Sequence, residues 1–297
     1  MNKNMKDELR KYLVYNGKVR VECINSTNLV EEARKVHDLS PTATAALGRL
    51  LTITEIFQSD LSEKEESITL QIKGNGPLGL LTAVGCGNGE VKGYVQNSKV
   101  ELPLNSVGKL DVGTAVGREG MIYVIKDIGL KDPYVGMTPI VSGEIAEDFT
   151  NYFATSEQVP TVVALGVLVN KDGVKSAGGY RISAMPDAND EDLVKIEEAV
   201  KNADSISKML DDNLSLDKIA KKVTGDENLQ IMNEDYFPKY KCNCSREKFE
   251  KGLIAIGKKE LEVIINEDGK ANTVCHFCNK EYNFSKEDLE KLLEQSK

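Results

Sequence analysis

Four cysteines in two tight pairs constrain this chain more than any other feature. Cys242-Asn243-Cys244 and Cys275-His276-Phe277-Cys278 stand near the C-terminus with thirty residues between them. Zinc takes four ligands in a tetrahedron at roughly 2.3 Å from each sulfur, and two close pairs drawn together from distant segments meet that need. The alternative, four unrelated buried thiols, does not account for four of the six cysteines falling into two pairs in one small region. Cys242, Cys244, Cys275 and Cys278 are therefore expected to hold one Zn²⁺. His276 could replace one of them, but it sits between two better ligands. Any fold for residues 236–297 must bring these pairs together, and a piece that small needs such a staple.

The first pair has one intervening residue where most zinc knuckles have two. In an extended strand, residues i and i+2 share a face with Cα atoms nearly ~7 Å apart. A disulfide across that gap would be strained. The Cys-x-x-Cys turn allows a closer approach. Four thiolates held deprotonated at one point are also close enough to pair when oxidised. A structural site gains nothing from that arrangement; a redox switch would use it.

The remaining 235 or so residues exceed what a metal staple organises, and the chain of 297 residues predicts more than one domain. Hydrophobic residues make up 40%, enough for a core. No apolar run approaches the ~20 residues of a membrane span. The start, MNKNMKDELRKYL, does not read as a secretory signal, so a cytoplasmic location is expected. Thiols stay reduced there, which favours metal ligation or redox chemistry over structural disulfides.

Residues 1–186 read as an N-terminal α/β domain with a mainly antiparallel sheet. Lys18–Ile24 alternates as a strand. Asn28 with Glu31 resembles a capping box opening a helix. Ser40-Pro41 opens another, with Ala43, Leu47, Leu50, Leu51 and Phe57 on one face. Residues 67–130 read as a β meander divided by Gly-rich turns. Ser142 is expected to cap a helix buried through Ile145, Phe149, Tyr152 and Phe153. Strands follow over Thr161–Asn170 and Ser176–Ala184 around a Lys171-Asp172-Gly173 turn.

Residues 187–235 hold fourteen Asp/Glu against six Lys, a balance of −8 within a net charge of −9. Their helical stripes are narrow: Leu193, Ile196, Val200 and Ala203, then Leu216, Ile219, Ala220 and Val223 behind a Ser215 cap. Helices this short need tertiary packing. The stretch is expected to be a helical linker that docks elsewhere and can come off. Residues 236–297 form the small C-terminal zinc-binding domain: a Ser245-capped helix, the run Val263-Ile264-Ile265, a turn over Asn266–Lys270, strand-like residues 273–283, and a last helix with a Ser285/Asp288 capping box.

Several other features carry less. Cys23 and Cys86 read as core thiols. His37 reads as structural or solvated, and two histidines make a His-based catalytic site hard to assemble. Gly74-Asn75-Gly76-Pro77-Leu78-Gly79 matches a dinucleotide fingerprint by letter, but a strand rather than a helix follows it, so a hairpin turn is expected. No phosphate-binding loop of the Gly-x4-Gly-Lys-Ser/Thr type occurs, and ATP-driven work is not expected. No enzyme is indicated.

At these residues the chain resembles the heat-shock protein 33 family, the 33 kDa chaperonin. The resemblance spans nearly the whole chain. It is most specific at Cys-x-Cys-Ser-Arg-Glu-Lys (242–248) and Cys-x-Phe-Cys (275–278), with Thr138–Glu144 and Val162–Val167 as further segments. It implies an N-terminal α/β domain, a helical linker and a C-terminal zinc domain. It implies a redox-regulated, ATP-independent holdase, inactive while four reduced cysteines bind zinc. On oxidation it implies disulfides between near neighbours, carried over here as Cys242–Cys244 and Cys275–Cys278. Zinc release, loss of order in linker and zinc domain, exposure of apolar surface to unfolding client proteins, and a homodimer of the oxidised form are also implied. Two other classes compete. A zinc ribbon for nucleic acid would carry a basic stripe, yet residues 239–297 hold twelve Lys/Arg against eleven Asp/Glu. A thiol–disulfide oxidoreductase needs an exposed attacking cysteine outside the metal site.

Overall fold

One long helix organises the first 241 residues. The computed structural model describes residues 6–63, 65–232 and 236–296, which fall into two compact units divided between Lys241 and Cys242. In the first unit, α2 (Pro41–Gln58) starts where Ser40 accepts the N–H of Ala43 and Pro41 takes the first helical position. Its sequence suggests one apolar face. In fact nearly the whole circumference is buried, because β8 (Thr161–Asn170) and β9 (Gly173–Ala184) pack on one side and β3 (Ser67–Gly74), β4 (Leu80–Cys86) and β5 (Glu90–Val95) on the other. Its small residues and threonines fit that place; Thr52 and Thr54 satisfy their hydroxyls on the carbonyls of Gly48 and Leu50.

The two sheets are mainly antiparallel. One has the order β10-β1-β2-β9-β8, adding β1 (Glu8–Val14), β2 (Val19–Asn25) and β10 (Gln230–Ile231). β1 pairs with β2 from Glu8↔Asn25 to Val14↔Val19, and β2 with β9 from Val19↔Ala184 to Asn25↔Gly178. The other has the order β11-β5-β4-β3-β6-β7, adding β6 (Gly120–Asp127), β7 (Tyr134–Pro139) and β11 (Lys239–Tyr240). Only the β11–β5 pair in it is parallel. The expected meander holds for β3–β4–β5 and then breaks: β6 returns to the far side of β3, reached through irregular chain and the short α3 (Val112–Val116). The glycine-rich 74–79 segment is the β3–β4 connection, as expected. Gly76 is required there, since a Cβ would lie 2.4 Å from the Ala115 carbonyl oxygen.

Two expected caps are replaced by carboxylates. α1 (Thr27–His37) begins one residue before Asn28, and Asp7 caps it from outside, accepting the N–H of Asn28 (3.0 Å) and Leu29 (2.6 Å). Glu31 closes no capping box; it accepts from Val174 N–H and pairs with Arg34 at 2.7 Å. Ser142 does not cap α4 (Ala146–Tyr152). Asp148 instead gathers the N–H groups of Val141, Ser142, Gly143 and Ile145. The buried stripe Ile145, Phe149, Tyr152 and Phe153 is as expected.

The acidic stretch packs within the first unit. α5 (Asp190–Asn202), α6 (Ile206–Asp211) and α7 (Leu216–Thr224) form a second core with Tyr12, Val14, Val19, Val21, Cys23, Tyr180 and Ile182. β9 is therefore covered on both faces and buried along most of its length. Ser215 caps α7 as expected. Tyr12 donates its hydroxyl to Asp217 at 2.8 Å, and Arg10 pairs with the same carboxylate at 3.1 Å. Among the described residues no helix is long and apolar enough to cross a membrane.

Candidate metal centre

The second unit builds its four-cysteine cluster from two chain segments. α8 (Arg246–Ala255), capped by Ser245, follows the first pair directly. α9 (Lys258–Glu267) then contains Val263-Ile264-Ile265, so that β-branched run is helical, burying Leu261 and Ile265 while Val263 stays exposed. β12 (Lys270–Val274) and β13 (Glu281–Ser285) form a hairpin whose connection carries Cys275 and Cys278. There the N–H groups of Cys278 and Asn279 both bond to the Cys275 carbonyl, and Asn279 takes φ 58. α10 (Lys286–Gln295) starts at the Ser285/Asp288 capping box, as expected. A small core of Leu253, Leu261, Ile265, Tyr282, Phe284, Leu289 and Leu292 lies between these elements.

The sulfurs of Cys242, Cys244, Cys275 and Cys278 all lie within 4.8 Å of one another. Two separations are 3.7 Å (Cys242–Cys275) and 3.4 Å (Cys244–Cys278). A tetrahedron with ~2.3 Å metal–sulfur bonds has edges of about 3.8 Å, so the cluster has the size of a metal site. A tetrahedral four-sulfur donor set suits zinc or iron–sulfur chemistry. His276 is exposed and outside the cluster.

The thiols are not equivalent. Burial pushes Cys242 up to about 12, helped by hydrogen bonds to the other sulfurs. Burial also raises Cys278. At Cys244 burial works against ionisation, yet the Tyr282 hydroxyl, donating at 3.1 Å, and the neighbouring thiols bring it down to about 7. Left to themselves, these groups favour one thiolate among thiols; four thiolates require a cation among them. Tyr282, whose ring lies tilted by 30° against Phe249 at 4.7 Å, was not legible as a site residue. Its alternation with Phe284 marks a core-facing position, and nothing in that pattern signals a sulfur contact.

The other sequence candidates lie elsewhere. Cys23 is fully buried in β2, and burial raises its thiol far above the ordinary range. Cys86 ends β4 and is half-buried. His37 ends α1 with Nε2 at 2.8 Å from the Tyr240 hydroxyl.

Comparison with known proteins decides the family. The Hsp33 protein family model matches residues 7–285. The chain belongs to the Hsp33 protein family. Its similarity to curated members extends over nearly its whole length. It is 44% identical to the 33 kDa chaperonin of Bacillus cytotoxicus, over 98% of this chain and 99% of that one. It is 45% identical to those of Oceanobacillus iheyensis (97% and 99% covered) and Clostridium perfringens (98% and 92% covered). The crystal structure of the 33 kDa chaperonin from Thermotoga maritima superposes with a TM-score of 0.90 at 41% identity, covering 98% of this chain and 99% of that one. The α+β architecture is therefore that of an Hsp33 homologue.

Proposed function

We propose that this chain is a redox-regulated, ATP-independent holdase that binds unfolding client proteins and catalyses no reaction. The observation that carries this reading is the set of four sulfurs within 4.8 Å in a unit with a small core of its own, in a chain of a chaperone family. Cys242, Cys244, Cys275 and Cys278 would hold one Zn²⁺, which when bound supplies the positive charge for four thiolates and roughly 10–16 kcal/mol of folding energy.

Oxidation removes the ligands. A thiolate attacks peroxide and becomes a sulfenic acid, releasing hydroxide; a second thiol displaces the sulfenic oxygen as water and closes a disulfide. Each disulfide consumes one peroxide. The pairing we propose is Cys242–Cys244 and Cys275–Cys278. Sulfur proximity does not select it, since two of the close approaches run across the pairs. Chain proximity does: once the unit loses order, only residues two or three apart remain near each other.

Residues 187–235 would act as a separable linker beside domains over 1–186 and 236–297. With the second unit unfolded, α5–α7 would lift from their sheet and free the apolar face of Tyr12, Val14, Val19, Val21, Tyr180 and Ile182. The oxidised form would dimerise. A reducing cytoplasm is the compartment in which such a switch rests in its zinc-bound state, and neither ATP, nucleic acid nor a membrane takes part. The test follows aggregation of a heat-unfolding client with reduced and with peroxide-treated protein, beside zinc release and disulfide mapping. Equal protection by both forms would refute the switch.

A further inference from the structure

The segment just before the cysteine module reaches into the core of the first unit. The Tyr236 hydroxyl donates to Glu55 Oε2 at 3.2 Å, and its carbonyl accepts the N–H of Leu9 at 2.9 Å. Three residues later β11 adds to β5: Lys239 N–H bonds Gly89 O at 2.9 Å and Lys241 N–H bonds Val91 O at 2.8 Å. Residues 236–241 are thus clasped at both ends, and Cys242 follows directly.

Glu55 is fully buried on α2. Gln58, one turn on, donates Nε2–H to the same Oε2. Among the described residues, Glu55 Oε1 and Gln58 Oε1 have no partner, and no ion pair involves Glu55. The titratable groups that act on it are an acid and a phenol, Asp7 before β1 and Tyr236 on the tether; Asp60, beyond the end of α2, acts on Tyr236. The nearby cations are committed to Asp60, which pairs with Lys11 (2.8 Å), Arg20 (3.0 Å) and Arg181 (2.6 Å).

Two orphaned acceptors on adjacent side chains have one simple resolution. With a proton on Glu55 Oε1, the acid O–H donates to Gln58 Oε1 while the amide donates back to Oε2. One proton satisfies both atoms, whereas a carboxylate leaves both unpaired and buries a charge. Burial raises the Glu55 pKa well above its ordinary value; the hydrogen bonds from Gln58 and Tyr236 oppose the shift and Asp7 adds to it, but burial prevails.

We propose that Glu55 is held as a neutral carboxylic acid, and that Glu55, Gln58 and Tyr236 form a proton-linked clasp on the tether that carries the cysteine module. When the clasp opens, Glu55 meets water, becomes an ordinary acid of pKa about 4.3 and releases its proton. The folded pKa lies above the unfolded one. The clasp is therefore at full strength below about pH 4.3 and weakens as pH rises toward the folded pKa, with opening favoured by up to about tenfold per pH unit. Asp7, raised by burial to about 6, works in the same sense at lower pH. The His37 imidazole, bonded to Tyr240 on the same tether, is common to wild type and Glu55→Gln, so the difference between their slopes is the Glu55 contribution.

Hydrogen exchange of the full-length reduced protein tests this without client or oxidant, so it stands apart from the proposed chaperone switch. The readout is the protection factor of the Leu9, Lys239 and Lys241 amides from about pH 6.5 to 8.5. Wild type should lose protection with rising pH at up to about tenfold per unit. Glu55→Gln, which keeps the paired amide geometry without a titrating proton, should lose most of that slope. Tyr236→Phe should lose about fivefold at every pH, one neutral hydrogen bond, and keep the slope. A flat wild-type profile, or equal slopes in wild type and E55Q, overturns the proposal. Should E55Q not fold, the ¹³C shift of the Glu55 carboxyl in wild type decides: a protonated value at pH 7 is expected, and an ionised one overturns it.

Discussion

Ile219→Ala places the regulatory role of the acidic helices at risk. Ile219 is fully buried where α7 meets Tyr12, Val14, Val19 and Val21. Truncating a buried Ile to Ala costs about 2–5 kcal/mol, set by the transfer of the lost atoms and the cavity they leave. Where that cost falls is the informative part. α5, α6 and α7 have 13, 6 and 9 residues, and helices of that length are marginal without docking. The loss should therefore appear as undocking, not global unfolding. At about 1.4 kcal/mol per factor of ten, the undocked population should rise about 30-fold to a few thousandfold. Hydrogen exchange should show that loss over residues 190–224 while β3, β4 and β6 keep their protection. The reduced variant should also suppress client aggregation without peroxide. A uniform loss of protection over 8–241 would refute the separate docking of these helices. Undocking with no gain in client protection would refute their role as a cover.

Three further outcomes follow from the same coordinates. Cys275→Ser, or a strong chelator, should unfold residues 242–297 and release α5–α7 while α2 and the two sheets around it stay folded, because the small core supplies only about 3–5 kcal/mol against roughly 10–16 from a bound metal; two-dimensional NMR would show the resonances of the module and of α5–α7 collapse and those of the sheets persist, and a folded metal-free module would contradict this. Arg181→Met should cost up to about 3–5 kcal/mol in urea unfolding, since it leaves the fully buried Glu22 with Arg20 (3.0 Å) as its one remaining ion-pair partner among the described residues, and adding Glu22→Met should recover part of the loss. The Glu31 carboxylate is held at about 2, chiefly by its hydrogen bonds with Arg34; its stabilisation is complete above the unfolded value of about 4.3 and is lost as pH falls toward 2. Glu31→Gln should remove up to about 2 kcal/mol of that acid-sensitive stability, less any solvent screening, and acid titration by circular dichroism would check it.

Much of the fold was legible where local chemistry decides structure. Ser40-Pro41, Ser215, Ser245 and Ser285/Asp288 open helices in the structure as their side chains suggest. The misreadings arise where a side chain from outside the helix start, or packing of the helix as a whole, decides the outcome. Asp7 caps α1 from twenty-one residues away, and Asp148 gathers the amides that Ser142 was expected to serve. Val263-Ile264-Ile265 has strand propensity, overridden by the packing of α9 over Leu261 and Ile265. The cysteine spacing pointed directly to the cluster, since each pair is local. The hydroxyl that Tyr282 aims at Cys244 depends on how a helix and a hairpin meet, and no spacing encodes that.

β10 and β11 each form one edge of a sheet. β10 covers one side of β1 at Tyr12↔Ile231 and Leu13↔Gln230, and β11 covers one side of β5 at Glu90 and Val91. Each is only two residues long, so each is a minimal plug on a row of backbone donors and acceptors. Lifting both leaves two bare strand margins, each a template for a strand from another polypeptide. The stretch that leads into the cysteines is therefore also what covers one edge of each sheet, the opposite edges being β8 and β7.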